Sequence, residues 1–173
     1  MAASKKSFSL QMFAGVLLVA LCWVIADSMQ EHIVTAGDTA PRFKVVTDSG
    51  KTLTRSDFGG KVLILNFWAT WCPPCIEEIP SLDALQRQYG SQGVVVLAVS
   101  VDKNEKTYRE FLQRAKVSFQ TARDPEADIS ASYGTFKYPE TYVVDRNGKV
   151  VAKYISNQNW MDESVLRDIR ALL

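Results

Sequence analysis

The chain has 173 residues, 47% apolar and 23% charged, proportions that exclude a largely disordered chain and a multi-spanning membrane protein and point to one globular unit. Twenty Lys and Arg face nineteen Asp and Glu, and only Lys5 and Lys6 precede residue 27. The remainder therefore holds eighteen basic against nineteen acidic residues, with no surplus to neutralise nucleic-acid phosphates.

Lys5 and Lys6 introduce an apolar run, Phe8 to Ala26, whose last 15 residues from Met12 contain no polar side chain. Nineteen helical residues at about 1.5 Å each reach about 28 Å, close to the hydrocarbon thickness of a bilayer. Two readings stand: a retained single-pass anchor with Trp23 near the outer interface, or a signal peptide cut after the small residues near Ala26. Both keep the lysines in the cytoplasm and place everything after residue 26 outside it. Cys22 falls within the run as an apolar side chain. Residues 27–37 lack any period and read as a linker carrying the single histidine, His32.

The expected folded domain covers 38–173. Phe43–Val46 and Lys51–Leu53 flank Asp48-Ser-Gly50 as a hairpin. Val62–Phe67 and Val94–Val101 are nearly all apolar and do not alternate, the signature of strands buried on both faces. Between them Ile76, Ile79, Leu82 and Leu85 recur at three-residue steps on one helix face, which Pro80 should kink. Tyr108, Phe111, Leu112 and Ala115 mark a second helix. A short third helix is bounded by Asp124-Pro125 and Gly134. Thr141–Asp145 and Lys149–Ile155 read as a hairpin through Asn147-Gly148, and Val165, Leu166, Ile169 and Leu172 close the chain with a helix. The order predicts an α/β layer structure with a mixed sheet.

Trp68-Ala-Thr-Trp-Cys-Pro-Pro-Cys75 joins the first buried strand to its helix. Structural zinc needs four ligands, and only Cys22 and His32 remain beyond this pair, so a redox dithiol fits better. Pro73 at the first helical position leaves Cys72 beside the N-cap, where the helix end favours a thiolate. Cys75, one turn along, can resolve a mixed disulfide. Pro74 has no N–H, so the Cys72 sulfur keeps one expected helix donor, from Cys75. A thiolate with fewer donors belongs to a less oxidising disulfide, hence a reductant. Trp71 is expected to flank the substrate surface, and Trp68 and Trp160 to pack.

The segment Lys61–Pro80, with its Trp-Cys-Pro-Pro-Cys and following Glu-Glu-Ile-Pro, resembles the thioredoxin superfamily. More narrowly it is similar to the membrane-anchored, extracytoplasmic TlpA/ResA/CcmG-like branch, and the likeness runs from about Ala40 to the C-terminus. It implies a thioredoxin-like fold, a central mixed β-sheet flanked by helices with an N-terminal β-hairpin and one N-terminal membrane anchor. It also implies a dithiol that cycles against partner proteins without a cofactor. Pro139 occupies the place of the family's cis-proline, which faces the dithiol and aligns substrate; read alone, a proline bordering a strand is an ordinary trans edge residue. Tyr138 before it is a candidate substrate contact, bulkier than the family pattern. Asn66 stands where many thioredoxins have a buried Asp and cannot act as a base. The branch places a carboxylate three residues past the second cysteine, here Glu78, about 60° around the helix from Cys75. Two readings of Glu78 remain open: a desolvated carboxylate with a raised pKa serving Cys75, or a solvated one.

The implied function is disulfide exchange in which Cys72 attacks a client disulfide, Cys75 releases the product and a membrane thiol donor restores the dithiol. Reduction of apocytochrome c haem-attachment cysteines is the branch's task closest to the Pro-Glu-Thr-Tyr wording at 139–142. The expected location is the bacterial inner membrane with a periplasmic domain, or the periplasm after signal cleavage. A copper-binding assembly factor would need a wider cysteine spacing and a histidine, and a thiol peroxidase an isolated cysteine.

Overall fold

A computed structural model describes residues 12–24 and 33–173. Residues 12–24 form a helix, α1, whose large apolar side chains are all exposed, Phe13, Val19 and Trp23 among them. Among the described residues no helix is long and apolar enough to cross a membrane. The remainder of the expected span, 8–11 and 25–26, lies outside the described residues, as does His32. Cys22 is an exposed free thiol.

The second compact unit runs from Ile33 to Leu173. It begins five residues earlier than the expected boundary at 38, because residues 33–37 do not behave as linker. Val34 is fully buried and its N–H donates to the Tyr133 carbonyl at 3.1 Å, while Gly37 N–H donates to Val150 at 2.8 Å. A buried side chain and paired backbone overrule the missing period.

Strands β1 (Lys44–Val46) and β2 (Thr52–Thr54) pair antiparallel as the expected hairpin. A five-stranded sheet follows in the order β5-β4-β3-β6-β7, built from β3 (Val62–Trp68), β4 (Val94–Ser100), β5 (Gln120–Arg123), β6 (Glu140–Val144) and β7 (Val150–Ile155). β3, β4 and β5 are parallel to one another, whereas β6 runs antiparallel to β3 and to β7. The sheet is therefore mixed, as expected. β5 is the strand that sequence patterning misses: Gln-Thr-Ala-Arg is four residues long, polar at both ends and at the sheet edge, so it carries no periodic signal.

Helices α2 (Pro73–Tyr89), α3 (Glu105–Ala115), α4 (Asp128–Ser132) and α5 (Glu163–Arg170) complete the unit. α2 continues through Pro80. α4 starts at Asp128, not at Asp124-Pro125. The Asp124 carboxylate instead accepts from Ile129 N–H at 2.8 Å, and Ala127 precedes the helix with φ +60°.

The apolar run of β3, interrupted by Asn66 alone, has a simple cause. Val62, Ile64 and Trp68 point to the face covered by Leu82 and Leu85 of α2 and Leu166 and Ile169 of α5. Leu63, Leu65 and Phe67 point to the opposite face, against Val45, Leu53 and Phe58 of the hairpin region and against Tyr133. Every residue of β3 is buried, so alternation has no solvent side to report. The β6–β7 turn uses Gly148 at φ +82°, a conformation open to glycine, and the Asp145 carboxylate accepts from Asn147 and Lys149 N–H groups.

Candidate active site

Strand β3 delivers the chain to the end of the sheet, and α2 starts after four intervening residues. Cys72 is the N-cap of α2, with Pro73 and Pro74 at its first two positions. Proline is tolerated there because those N–H groups have no intrahelical partner. Cys72 and Cys75 form a disulfide, with Cα atoms 5.3 Å apart. Their surroundings are unequal: Cys72 retains 5% exposure and Cys75 none. A partner therefore reaches the pair through Cys72.

In this disulfide form the Cys75 N–H, the donor expected for a Cys72 thiolate, donates to the Cys72 carbonyl at 3.1 Å, and Ile76 N–H donates to the same oxygen at 3.2 Å. No hydrogen bond caps the helix through the Cys72 side chain. The sulfur is held by its bond to Cys75 Sγ, and the carbonyl accepts from the first free donors of the helix.

Sheet register brings the second segment to this place. Phe67 pairs with Glu140 across β3 and β6, so Tyr138 and Pro139, which lead into β6, emerge at the end of the sheet where β3 hands over to the dithiol turn. The Tyr138–Pro139 peptide is cis, as the resemblance implied and the isolated residues did not. Trp71 is 63% exposed and meets the Tyr138 ring edge-on, with centroids 6.1 Å apart. The residue before the dithiol thus touches the residue before the cis-proline. The Tyr138 hydroxyl is 3.2 Å from Ser130 Oγ. Trp68, by contrast, is buried against Tyr108 and Phe111.

Glu78 is 2% exposed, which disposes of the solvated reading. Its Oε1 accepts from Asn66 Nδ2 at 2.7 Å; its Oε2 accepts from Gln158 N–H at 3.1 Å and Trp160 Nε1 at 3.3 Å. Burial raises its pKa to about 7, and the three donors hold it from going higher. Asn66 donates a second bond to Thr141 Oγ1 at 2.8 Å. Glu77 is exposed and accepts from Asn157 Nδ2. Trp160 packs on Tyr154 as expected, but it also donates to Glu78. Gln158, Trp160 and Thr141 escape sequence reasoning because they lie 63 to 82 positions from Glu78, on elements whose approach no local period reveals.

The geometry suits two-electron sulfur exchange: one reachable sulfur, one enclosed sulfur a turn away, and an enclosed carboxylate one turn further along the same helix. Comparison with known proteins agrees. A sequence profile of the AhpC/TSA family matches residues 36–153. The thiol-disulfide oxidoreductase ResA of Bacillus subtilis (strain 168) is 31% identical over 174 residues, covering 98% of this chain and 96% of its own. The thioredoxin-like protein YneN of the same strain is 36% identical over 145 residues, covering 79% of this chain and 85% of its own. A crystal structure described as thiol:disulfide interchange protein DsbE, from Chlorobium tepidum, matches with a TM-score of 0.75 and 32% identity over 80% of this chain and 98% of that one. The chain belongs to the AhpC/TSA family and is a thioredoxin-like thiol–disulfide oxidoreductase similar to ResA and DsbE.

Proposed function

We propose that this protein is an extracytoplasmic reductant of disulfides in partner proteins, held at the bacterial inner membrane by its N-terminal apolar segment and serving cytochrome c maturation. The observation that carries the reductant reading is the start of α2. Pro73 and Pro74 offer no N–H and the Cys75 N–H is committed to the Cys72 carbonyl. A Cys72 thiolate there gains little hydrogen-bond stabilisation, which favours the disulfide form of the enzyme and sends electrons to the client. The cytochrome c client rests on the likeness to the TlpA/ResA/CcmG branch. The membrane and periplasmic location rests on Lys5-Lys6 and the apolar run behind them.

The Cys72 thiolate attacks one sulfur of the client disulfide, and the client's other sulfur leaves as a thiolate and takes a proton. The Glu78 carboxylate, with its pKa raised to about 7, accepts the Cys75 proton near neutral pH. Cys75 then attacks Cys72 Sγ, and the client departs with both thiols reduced. Two electrons have passed to the client, and the enzyme is left in the disulfide form of the structure. A membrane thiol donor returns them. Trp71 and Tyr138 line the approach, and Pro139 sets the edge against which the client chain lies.

The decisive test is capture with Cys75→Ala. The surviving Cys72 should retain clients as mixed disulfides identifiable by mass spectrometry, and absence of adducts relative to Cys72→Ala/Cys75→Ala would reject the mechanism. A redox potential of about −120 mV, the strongly oxidising end of the dithiol scale, would reject the reductant direction. Glu78→Gln should slow exchange and change its pH profile; equal rates across pH 5–9 would remove the proton role. Protease added to intact spheroplasts should digest the folded unit, and protection would overturn the location.

A further inference from the structure

The dithiol is not carried by α2 alone. Between β3 and α2 the chain makes one turn, closed by Cys72 N–H donating to the Ala69 carbonyl at 3.2 Å, with Thr70 and Trp71 as its two central residues. Thr70 is gripped from another element. Asp102 follows β4 and is buried; its Oδ2 accepts from Thr70 N–H at 2.8 Å and its Oδ1 from the Thr70 hydroxyl at 2.6 Å. Ser100 holds the carboxylate in turn, donating its hydroxyl to Oδ2 at 2.6 Å and accepting from Asp102 N–H at 3.0 Å. The other side of the Asp102 loop is pinned by Arg123 of β5, whose guanidinium donates to the carbonyls of Asp102 and Lys103, both at 3.3 Å. Val101 N–H donates to the Trp68 carbonyl at 2.9 Å, so β3 and β4 stay locked up to the point where the clamp begins.

We infer that Asp102 is a positioning residue for disulfide exchange: by gripping Thr70 with both carboxylate oxygens it sets the turn that presents Trp71 and the Cys72 sulfur to an incoming disulfide. Three donors on one buried carboxylate make a stiff joint, because charge-assisted hydrogen bonds are the stronger kind and a buried donor left unpaired is costly. Exchange needs three sulfurs in line, and an error of about 1 Å in such a geometry costs up to about a hundredfold in rate. The inference rests on exchange through Cys72 and is indifferent to the client and to the direction of electron flow.

The test measures the second-order rate of exchange between the reduced full-length chain in mild detergent and two probes, oxidised glutathione and insulin, at a temperature where circular dichroism shows each variant folded. Asp102→Ala should lose at least about tenfold with both probes. Thr70→Val should lose several-fold, Asp102→Asn should recover part of the loss by still accepting from Thr70 N–H, and Asp102→Ala/Thr70→Val should be no slower than Asp102→Ala. A residue that merely supported the fold would lower the melting temperature and leave the folded protein's rate alone. Wild-type rates in folded Asp102→Ala, or losses that multiply in the double variant, would overturn the inference. If Asp102→Ala does not fold, Thr70→Val decides: a wild-type rate there overturns it equally. The wild-type rate itself reads the exchange reaction, so failure of the clamp and failure of the oxidoreductase reading are separate results.

Discussion

Replacing Glu78 with Gln offers a quantitative check on the enclosed carboxylate. In the folded protein its pKa stands at about 7 against 4.5 for an unburied glutamate, with burial as the largest cause. Between those two values the folded chain holds a proton that the unfolded chain has released, so stability falls as pH rises. The contribution is fully present below pH 4.5 and gone above the folded value near 7. At about 1.4 kcal/mol per pH unit, the interval amounts to about 3 kcal/mol, and with Glu78 2% exposed little of this is lost to solvent screening. Glu78→Gln removes the titration. Its stability relative to wild type should therefore shift by about 3 kcal/mol in the variant's favour between pH 4.5 and 8. Urea unfolding of both oxidised proteins at several pH values measures this directly. A stability difference constant across that range would refute the reasoning, because it would mean that the carboxyl titrates alike in the folded and unfolded chains.

Three further substitutions probe the exposed ring, the buried ring and the buried ion pair. Trp71→Ala should change stability by less than about 0.5 kcal/mol, since the side chain is mostly exposed, yet slow exchange with a protein disulfide; Trp68→Ala, which empties a buried site, should cost about 3–5 kcal/mol, and chemical denaturation beside an insulin-reduction assay separates the two. Lys153 Nζ lies 2.8 Å from Oε1 of the fully buried Glu140, which also accepts from the Tyr142 and Thr135 hydroxyls. Lys153→Ala strands that carboxylate and should cost about 3 kcal/mol in thermal or urea unfolding; a loss below about 1 kcal/mol would show that the hydroxyls suffice.

What the amino-acid order determined by itself was local. The dithiol lies between a strand-length apolar run and a proline-started helix, and both signals act within one or two turns of Cys72, so its place at the N-cap was legible before any fold was known. The hairpin turns at Asp48-Ser-Gly50 and Asn147-Gly148 were legible for the same reason, because backbone conformations there depend on the residues that adopt them. Helical geometry put Glu78 on the side of Cys75 but left open what it would face. Only tertiary structure decided that. Asn66 comes from β3, and Gln158 and Trp160 from the segment before α5, and their donors and the loss of water set the carboxyl's pKa. The same holds for Asp102 on Thr70, 32 residues apart, and for Val34, whose burial and hydrogen bond to the Tyr133 carbonyl at the end of α4 turned an apparent linker into part of the fold. Periodicity reports which way a side chain points along its own element; desolvation and hydrogen bonding depend on which other element arrives there, and that is settled only when the sheet closes its register.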